Sequence, residues 1–293
     1  MKTHLDCIPC FFRQALEAAK LAGADQRTQK KILNAVAEIL PGFSLNASPP
    51  EMGRIMYRLI QEITGKSDPY ADIKKKSNKS ALALYRKLKK KIEHSHDRLL
   101  TAVELAIAGN IIDYGVKNTL NVDLELSRIL KSEKRHIATE NKLLFRYDAF
   151  KTTALSSRLI LYLADNAGET VFDRILIEEI KRYNQNAGII YAVKERPIIN
   201  DALRDDALLC GIDREAEVIS SGCDGPGTIL SLCSRPFLRL YRKAEMIISK
   251  GQGNFEALSR AKMPIFFLFM AKCPVVAGDV GCRVGDIILL SNE

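Results

Sequence analysis

The sequence lacks the signals that would place a protein in or across a membrane. No stretch approaches the roughly 20 uncharged apolar residues of a membrane-spanning helix, although 47% of the 293 residues are hydrophobic. The first seven residues, MKTHLDC, lack the apolar core of a secretory signal peptide. We therefore expect a cytoplasmic protein whose hydrophobic residues fill one large domain or two smaller ones.

Two further absences narrow the class of protein. Seven cysteines are an odd number, and without a secretory signal they argue against a framework of disulfides. Neither of the glycine-rich fingerprints GxGxxG and GxxxxGK[ST] occurs. This disfavours, without excluding, a transferase that uses a nucleotide or S-adenosylmethionine.

Positive charge exceeds negative charge, with a net charge of +9. Lysine and arginine are concentrated in the first half of the chain, as in residues 74–76 and 87–91. The pattern fits a solvated helix face better than a nucleic-acid-binding module, which remains an alternative. We expect attraction for small anionic substrates, and no nucleic-acid or membrane partner.

Hydrophobic periodicity divides the chain into two regions. Between residues 11 and 109, apolar residues recur every three or four positions, which predicts helices. After residue 150, apolar runs alternate with helical stretches, and the predicted strands are residues 159–164, 188–193, 217–220, 246–249, 265–269 and 287–290. This alternation predicts an α/β fold: an N-terminal helical domain (1–120) and a three-layer α/β/α domain with a largely parallel sheet (121–293).

Polar residues stand at three predicted junctions between a strand and the following helix. They are residues 165–169 (DNAGE), 200–201 (ND) and 250–254 (KGQGN). Because ligands bind at the carboxyl ends of parallel strands, we expect these junctions to converge on one crevice. Carboxylate and amide oxygens predict a site for Mg²⁺ or Mn²⁺. The alternative is that Asp165 or Asn166 only caps a helix.

The glycines at these junctions predict contact with an anion. Gly168 permits a close approach of the backbone, and the N–H groups ahead of Thr170 can face a negative charge. Lys250 can meet a phosphate together with the N–H groups beside Gly251. An ordinary turn is the alternative at Gly251. Residues 109–113 (GNIID) either add polar ligands or end a helix at Gly109.

Cys7 and Cys10 are spaced for a shared metal ion or a redox pair. Cys273 can join them if the two ends of the chain pack together. A zinc site needs a fourth ligand, for which His4 or Cys282 is the candidate, because a second CxxC is absent. The alternative is that these cysteines are structural.

Five segments, taken together and in this order, resemble a known family. They are residues 7–10 (CIPC), 109–113 (GNIID), 165–169 (DNAGE), 197–201 (PIIND) and 249–256 (SKGQGNFE). Over nearly its whole length the chain is similar to the damage-control phosphatases, also known as the domain-of-unknown-function 89 family. Its CxxC resembles that of the microbial, stand-alone branch.

The resemblance implies a helical region on an α/β/α domain and the hydrolysis of phosphate monoesters of small, damaged or surplus metabolites. Sugar phosphates and phosphopantetheine-related compounds are the implied substrates, and Mn²⁺, Mg²⁺, Co²⁺ or Ni²⁺ the implied cofactor. The implied metal ligands are Asp165, Asn166 and Asp201. The residues expected to act in catalysis or to line the phosphate pocket are Glu169, Lys250, Asn110, Asp113, Gly168, Lys194, Asn200, Gly251 and Asn254.

Two mechanistic points stay open in the sequence. The nucleophile is either a water molecule or Asp165 itself, through an aspartyl-phosphate. Glu169 either orients that water or is only placed favourably against the helix dipole. One departure from the family stands at Lys194, where an arginine is expected, because lysine keeps the charge but lacks the bidentate fork.

Overall fold

The structure is a computed structural model that describes residues 1–115 and 143–292, with the backbone alone at 110–115. The described helices are α1 (Cys7–Leu21), α2 (Gln26–Ile39), α3 (Pro49–Thr64), α4 (Ala71–Glu93), α5 (Arg98–Gly115), α6 (Tyr147–Ser156), α7 (Thr170–Tyr183), α8 (Arg204–Leu209), α9 (Arg235–Lys243), α10 (Gln252–Leu258) and α11 (Pro274–Val280). The strands are β1 (Leu159–Leu163), β2 (Gly188–Val193), β3 (Glu217–Ser220), β4 (Met246–Lys250), β5 (Ile265–Met270) and β6 (Ile287–Ser291). The side chains of Asn110 and Asp113 lie outside the described residues.

The six strands form one sheet in the order β3-β2-β1-β4-β5-β6. All neighbours are parallel except β6, which runs antiparallel to β5. The predicted strands are confirmed, and their ends differ from the prediction by at most one residue. From β1 the chain continues to β2 on one side, and from β4 to β5 on the other, so the crevice between β1 and β4 is the topological switch point where open α/β sheets bind ligands.

Side chains alternate between the two faces of the sheet, and each face is covered by helices. One face carries Tyr162, Tyr191 and Ile248 and packs on α4, α5 and α7. The other face carries Leu161 and Ile247 and packs on α9, α10 and α11. The predicted three-layer α/β/α fold with a largely parallel sheet is thereby confirmed.

Helices α1, α2 and α3 enclose a separate hydrophobic cluster that also takes in Ile198, from the segment after β2. Helices α4 and α5 instead share the cluster of the sheet, so the clusters divide after α3. The boundary expected near residue 120 lies outside the described residues, and the division into two domains stays a prediction. Within the described part of the chain, no helix is both long and apolar enough to cross a membrane.

Part of the positive charge on α4 is used inside the protein. Lys74 pairs with Asp68 at 2.6 Å, and Lys89 pairs with Glu178 at 2.6 Å. These ion pairs fix α4 against its neighbours, as expected for a helix that packs on the rest of the fold.

Candidate active site

The backbone after β1 and the backbone after β2 fold together at the carboxyl edge of the sheet. Asn166 and Asp201 form an isolated antiparallel bridge. The N–H of Ala167 donates to the carbonyl of Asn200 at 2.8 Å, and the N–H of Ala202 donates to the carbonyl of Asp165 at 2.8 Å. These bonds bring together the three residues that were predicted to bind a metal ion, Asp165, Asn166 and Asp201.

The segment before Asp201 has an unusual conformation. Ile199 has a φ of 45°, in the left-handed region that β-branched residues rarely adopt. Such a conformation costs of order 1–3 kcal/mol and persists only where the surroundings enforce it. Here Ile198 is buried among α1, α2 and α3, and the carbonyl of Pro197 accepts a hydrogen bond from Gln61. The helices of the first half of the chain thus help to hold Asp201 in place.

Gly251 directly follows β4 and lies opposite Asp165, across the switch point. Its φ is +80°, and a Cβ built on it would lie only 1.9 Å from Oδ2 of Asp165. Glycine is therefore required here both by conformation and by the space that the carboxylate occupies. The N–H of Gly251 donates to the carbonyl of Leu268 at 3.0 Å, so it is engaged within the protein.

The side-chain amide of Asn166 has a defined orientation. Its Nδ2 donates to Oδ2 of Asp165 at 2.8 Å and to Oε1 of Glu169 at 2.7 Å. The carboxylate oxygens accept these hydrogen bonds, and the NH₂ group faces them. The Oδ1 atom of Asn166 is left turned away from both carboxylates, as an oxygen that can bind a cation.

The electrostatics of this edge favour a bound cation. Burial and the charge of Asp201 raise the pKa of Asp165 to about 7. Burial raises the pKa of Asp201 to about 6 although Lys194 opposes the change, and Oδ2 of Asp201 accepts no hydrogen bond from the described residues. Proximity of a cation lowers such pKa values.

The charges of the buried groups can be summed. When all six groups are ionised, four carboxylates (Asp165, Glu169, Asp173 and Asp201) stand against two ammonium groups (Lys194 and Lys250), and two negative charges are in excess. One divalent ion balances this excess. Two carboxylates and an amide oxygen are hard ligands that suit Mg²⁺ or Mn²⁺, so the residues present fit the predicted metal.

Lys250 points into the core, toward the face of the sheet that α7 covers. Its Nζ lies 2.7 Å from Oδ1 of Asp173 and 3.1 Å from Oε2 of Glu169. Asp173 also accepts from the hydroxyls of Tyr162 at 2.7 Å and Tyr191 at 2.8 Å. We call these five residues the Lys250 cluster. Although burial alone acts in the opposite direction, Asp173 and Glu169 raise the pKa of Lys250, which therefore remains an ammonium.

Two of the residues predicted to bind phosphate are engaged by protein groups. The N–H of Gly168 donates to Oδ1 of the buried Asn78 at 2.6 Å. Asn254 donates to the carbonyls of Ala164 at 3.0 Å and Lys250 at 2.7 Å, and it accepts from Thr228 at 2.8 Å. The geometry gives Asn254 the role of joining the ends of β1 and β4.

Lys194 lies on the opposite face of the sheet from Lys250. Its Nζ donates to the carbonyl of Gly227 and lies 3.5 Å from Oδ2 of Asp201. Asn200 is buried and precedes Asp201 in the chain. The structure thus places Lys194 and Asn200 beside the candidate metal ligands, while their contact with a substrate stays a prediction.

Three residues of this region were not found by sequence reasoning. Asp173 follows Glu169 by one helical turn, and this spacing indicates that the two carboxylates lie on the same face of the helix. Lys272 is exposed just after β5, and its positive charge acts to lower the pKa of both Asp165 and Glu169. The rule that was applied to the ends of β1 and β4 would have identified it. No sequence pattern pointed to Asn78, because its role depends on how α4 packs.

The cysteines of the predicted second site are free thiols and half-buried. Burial raises the pKa of Cys7, and the nearby thiols of Cys273 and Cys10 contribute to the change. Cys10 accepts a hydrogen bond from Gln14 at 3.2 Å. Over residues 1–109 and 143–292, no three His, Cys, Asp or Glu side chains surround one point. The metal or redox site at Cys7, Cys10 and Cys273 stays a prediction.

The chain is similar to known proteins over nearly its whole length. The family model of the damage-control phosphatase ARMT1-like domain matches residues 3–288. The chain is 37% identical to an uncharacterized protein of Methanocaldococcus jannaschii, over 100% of this chain and 96% of the relative. It is 34% identical to a damage-control phosphatase of Pyrococcus horikoshii, over 100% of this chain and 99% of the relative.

A solved structure is similar to this chain over its whole length. The crystal structure of a DUF89 family protein from Pyrococcus horikoshii covers 100% of both chains, with a TM-score of 0.89 and 33% sequence identity. The likeness therefore includes the α-helical first half as well as the sheet. This chain belongs to the damage-control phosphatase ARMT1-like domain family, in agreement with the resemblance of its sequence motifs.

Proposed function

We propose that the protein is a metal-dependent phosphatase that hydrolyses phosphate monoesters of small, damaged or surplus metabolites. The observation that carries this proposal is the meeting of Asp165, Asn166 and Asp201 at the switch point of the sheet, within a buried group that contains more carboxyl groups than ammonium groups. A relative that matches the whole chain is named a damage-control phosphatase, which supports the same activity. Sugar phosphates and phosphopantetheine-related compounds are the first substrates to test.

Asp165, Asn166 and Asp201 would hold the metal ion, for which Mn²⁺, Mg²⁺, Co²⁺ and Ni²⁺ are the candidates. When bound, the ion offsets the negative charge that develops on the phosphoryl group in the transition state. Residues of the chain itself would supply the remaining positive charge around the phosphoryl group. Lys272, exposed at the mouth of the crevice, offers positive charge to the outer phosphoryl oxygens.

The other residues hold these groups in place. Lys194 lies beside Asp201, and Glu169 fixes the amide of Asn166. The attacking group is a water molecule or Asp165, and a trapped phosphorylated Asp165 would exclude direct attack by water. Asn110 and Asp113 stay predicted pocket residues because their side chains lie outside the described residues.

The test is phosphate release from p-nitrophenyl phosphate and a panel of phosphometabolites. Chelator-stripped protein is assayed alone and with each of the four metal ions. We expect release that depends on metal and is lost in Asp165→Asn. Asp97→Asn is the matched control, since Asp97 is paired with Tyr147 and Lys151 and hydrogen-bonds to none of the site residues whose side chains the structure describes. Absence of release with every metal and substrate would contradict the proposal.

A further inference from the structure

An unbroken series of hydrogen bonds runs from a predicted metal ligand into the core of the protein. Nδ2 of Asn166 donates to Glu169, Lys250 donates to both Glu169 and Asp173, and the hydroxyls of two tyrosines donate to Asp173. Each member of the Lys250 cluster is at most 1% exposed. A buried network of this kind is stable only when its members are satisfied together.

The tyrosines anchor the series to the rigid part of the fold. Tyr162 and Tyr191 lie opposite each other on the two neighbouring strands β1 and β2, and their rings stack at 5.2 Å. Burial and the charge of Asp173 raise the pKa of both hydroxyls well above the ordinary value, so both remain donors. Asp173, which lies on α7, is therefore held by hydrogen bonds from the strands of the sheet.

The other end of the series decides which atom Asn166 presents. Glu169 accepts the hydrogen bond of Nδ2 through Oε1 and the ammonium of Lys250 through Oε2. If Glu169 turns away, one of the two contacts that orient the amide is lost. Residues that orient a metal ligand in this way commonly change metal affinity by about 10 to 100-fold when they are mutated.

We propose that Asp173, held by Tyr162 and Tyr191, is a positioning residue that fixes Lys250 and through it Glu169, so that Asn166 presents its Oδ1 to the divalent cation. Lys250 then serves inside the protein rather than at the phosphate. This inference rests on the metal site of the proposed function. It adds that metal affinity is set by core residues that do not touch the ion.

The test is Mn²⁺ binding, measured from the spectrum of free Mn²⁺ in electron paramagnetic resonance titrations. Asp173→Asn keeps the size of the side chain but cannot accept from all three donors. We expect its dissociation constant for Mn²⁺ to rise about 10 to 100-fold. Phosphate release should be recovered at saturating Mn²⁺, which a loss of folded protein would not allow. Tyr191→Phe removes one hydroxyl and should show a smaller rise.

The matched control is Glu179→Gln on the same helix. Glu179 is as buried as Asp173 and is paired with Arg98, away from the site. Its Mn²⁺ affinity should equal that of the wild type. Wild-type binding that is lost in Asp165→Asn but unchanged in Asp173→Asn and Tyr191→Phe would overturn the inference alone. Equal, weak binding by the wild type and Asp165→Asn would overturn the metal site of the proposed function, and this inference with it.

Discussion

Helix α7 carries two ion clusters with the same types of side chain in different surroundings. At its start, Glu169 and Asp173 share one cation, Lys250, and none of the three is more than 1% exposed. Farther along, Glu178 and Glu179 are paired with Lys89, Arg98 and Arg174, whose side chains are 15% to 23% exposed. We call these five residues the Glu179 cluster.

The difference supports the proposed role of the Lys250 cluster and a structural role for the Glu179 cluster. The Glu179 cluster has more cations than carboxylates, is partly open to solvent, and needs nothing further to be neutralised. The Lys250 cluster has fewer cations than carboxylates and adjoins two more buried carboxylates, Asp165 and Asp201. Buried charge without full compensation is costly, and it is typical of sites that bind or transform a ligand.

The largest effect is expected when the proposed metal ligands beside the Lys250 cluster are replaced. Asp165→Ala and Asp201→Ala should each lower phosphate release at least about a thousandfold, since several kcal/mol of transition-state stabilisation are lost. Both proteins should keep the circular dichroism spectrum of the wild type. Metal-dependent activity retained in both variants would contradict the assignment.

The next effect concerns the stability of the two clusters. Lys250→Met leaves two carboxylates buried without a cation and should lower the free energy of unfolding by about 3–5 kcal/mol. Lys89→Met, in the more exposed cluster, should cost less than about 1 kcal/mol. Urea denaturation of the two variants checks the difference. Equal losses would show that burial does not distinguish the clusters.

A smaller effect is expected from a methyl group placed against Asp165. In Gly251→Ala the new Cβ meets Oδ2 of Asp165, and the carboxylate must move. A shift of about 1 Å lowers activity about a hundredfold. Gly281→Ala is the control, because Gly281 has a similar φ of +78° with nothing within 4 Å. That variant should lose stability but keep its phosphate release.

The smallest effect is expected at Asp224, which joins α3 to the loop before α9. Burial alone would raise its pKa, but hydrogen bonds from Arg54 and Arg58 bring the pKa of Asp224 below its ordinary value. Its contribution to stability is therefore present above pH of about 4, the unfolded pKa, and is lost as the pH falls through the lower folded pKa. Asp224→Asn should remove this acid-dependent part of the unfolding free energy, which is at most about 1 kcal/mol. An unchanged acid dependence would contradict the role of this ion pair.

The sheet was predictable because its strands are buried on both faces. Runs such as Leu159–Leu163 and Ile265–Met270 are almost wholly apolar, and the junctions that end them are polar. The rule that ligands gather at the carboxyl ends of parallel strands then predicted that Asp165 and Asp201 would meet. The packing of the helices was harder to predict. Helices α4 and α5 have the same periodicity as α1, but they pack on the sheet, whereas α1 packs on α2 and α3.

The direction of the Lys250 side chain was not predicted, although the alternation of side chains along a strand indicates it. Alternation along β4 places Lys250 on the same face as Met246 and Ile248, toward α7 rather than toward the opening of the crevice. The prediction took the lysine for a phosphate ligand because a glycine turn follows it. Its partner Asp173 lies in the first turn of α7, on the buried side. The spacing of four residues puts Asp173 and Glu169 on one face of the helix, but the sequence alone does not show that this face is buried.

The left-handed backbone of Ile199 has a consequence for engineering. Glycine at this position would adopt the same conformation without steric cost, but it would increase the conformational freedom of the unfolded chain and remove the packing of the isoleucine side chain. It would also release the segment that carries Asp201 from a restraint that an isoleucine side chain, packed beside the first three helices, supplies. At this one position, relief of backbone strain and a loss of turnover are expected to come from the same substitution.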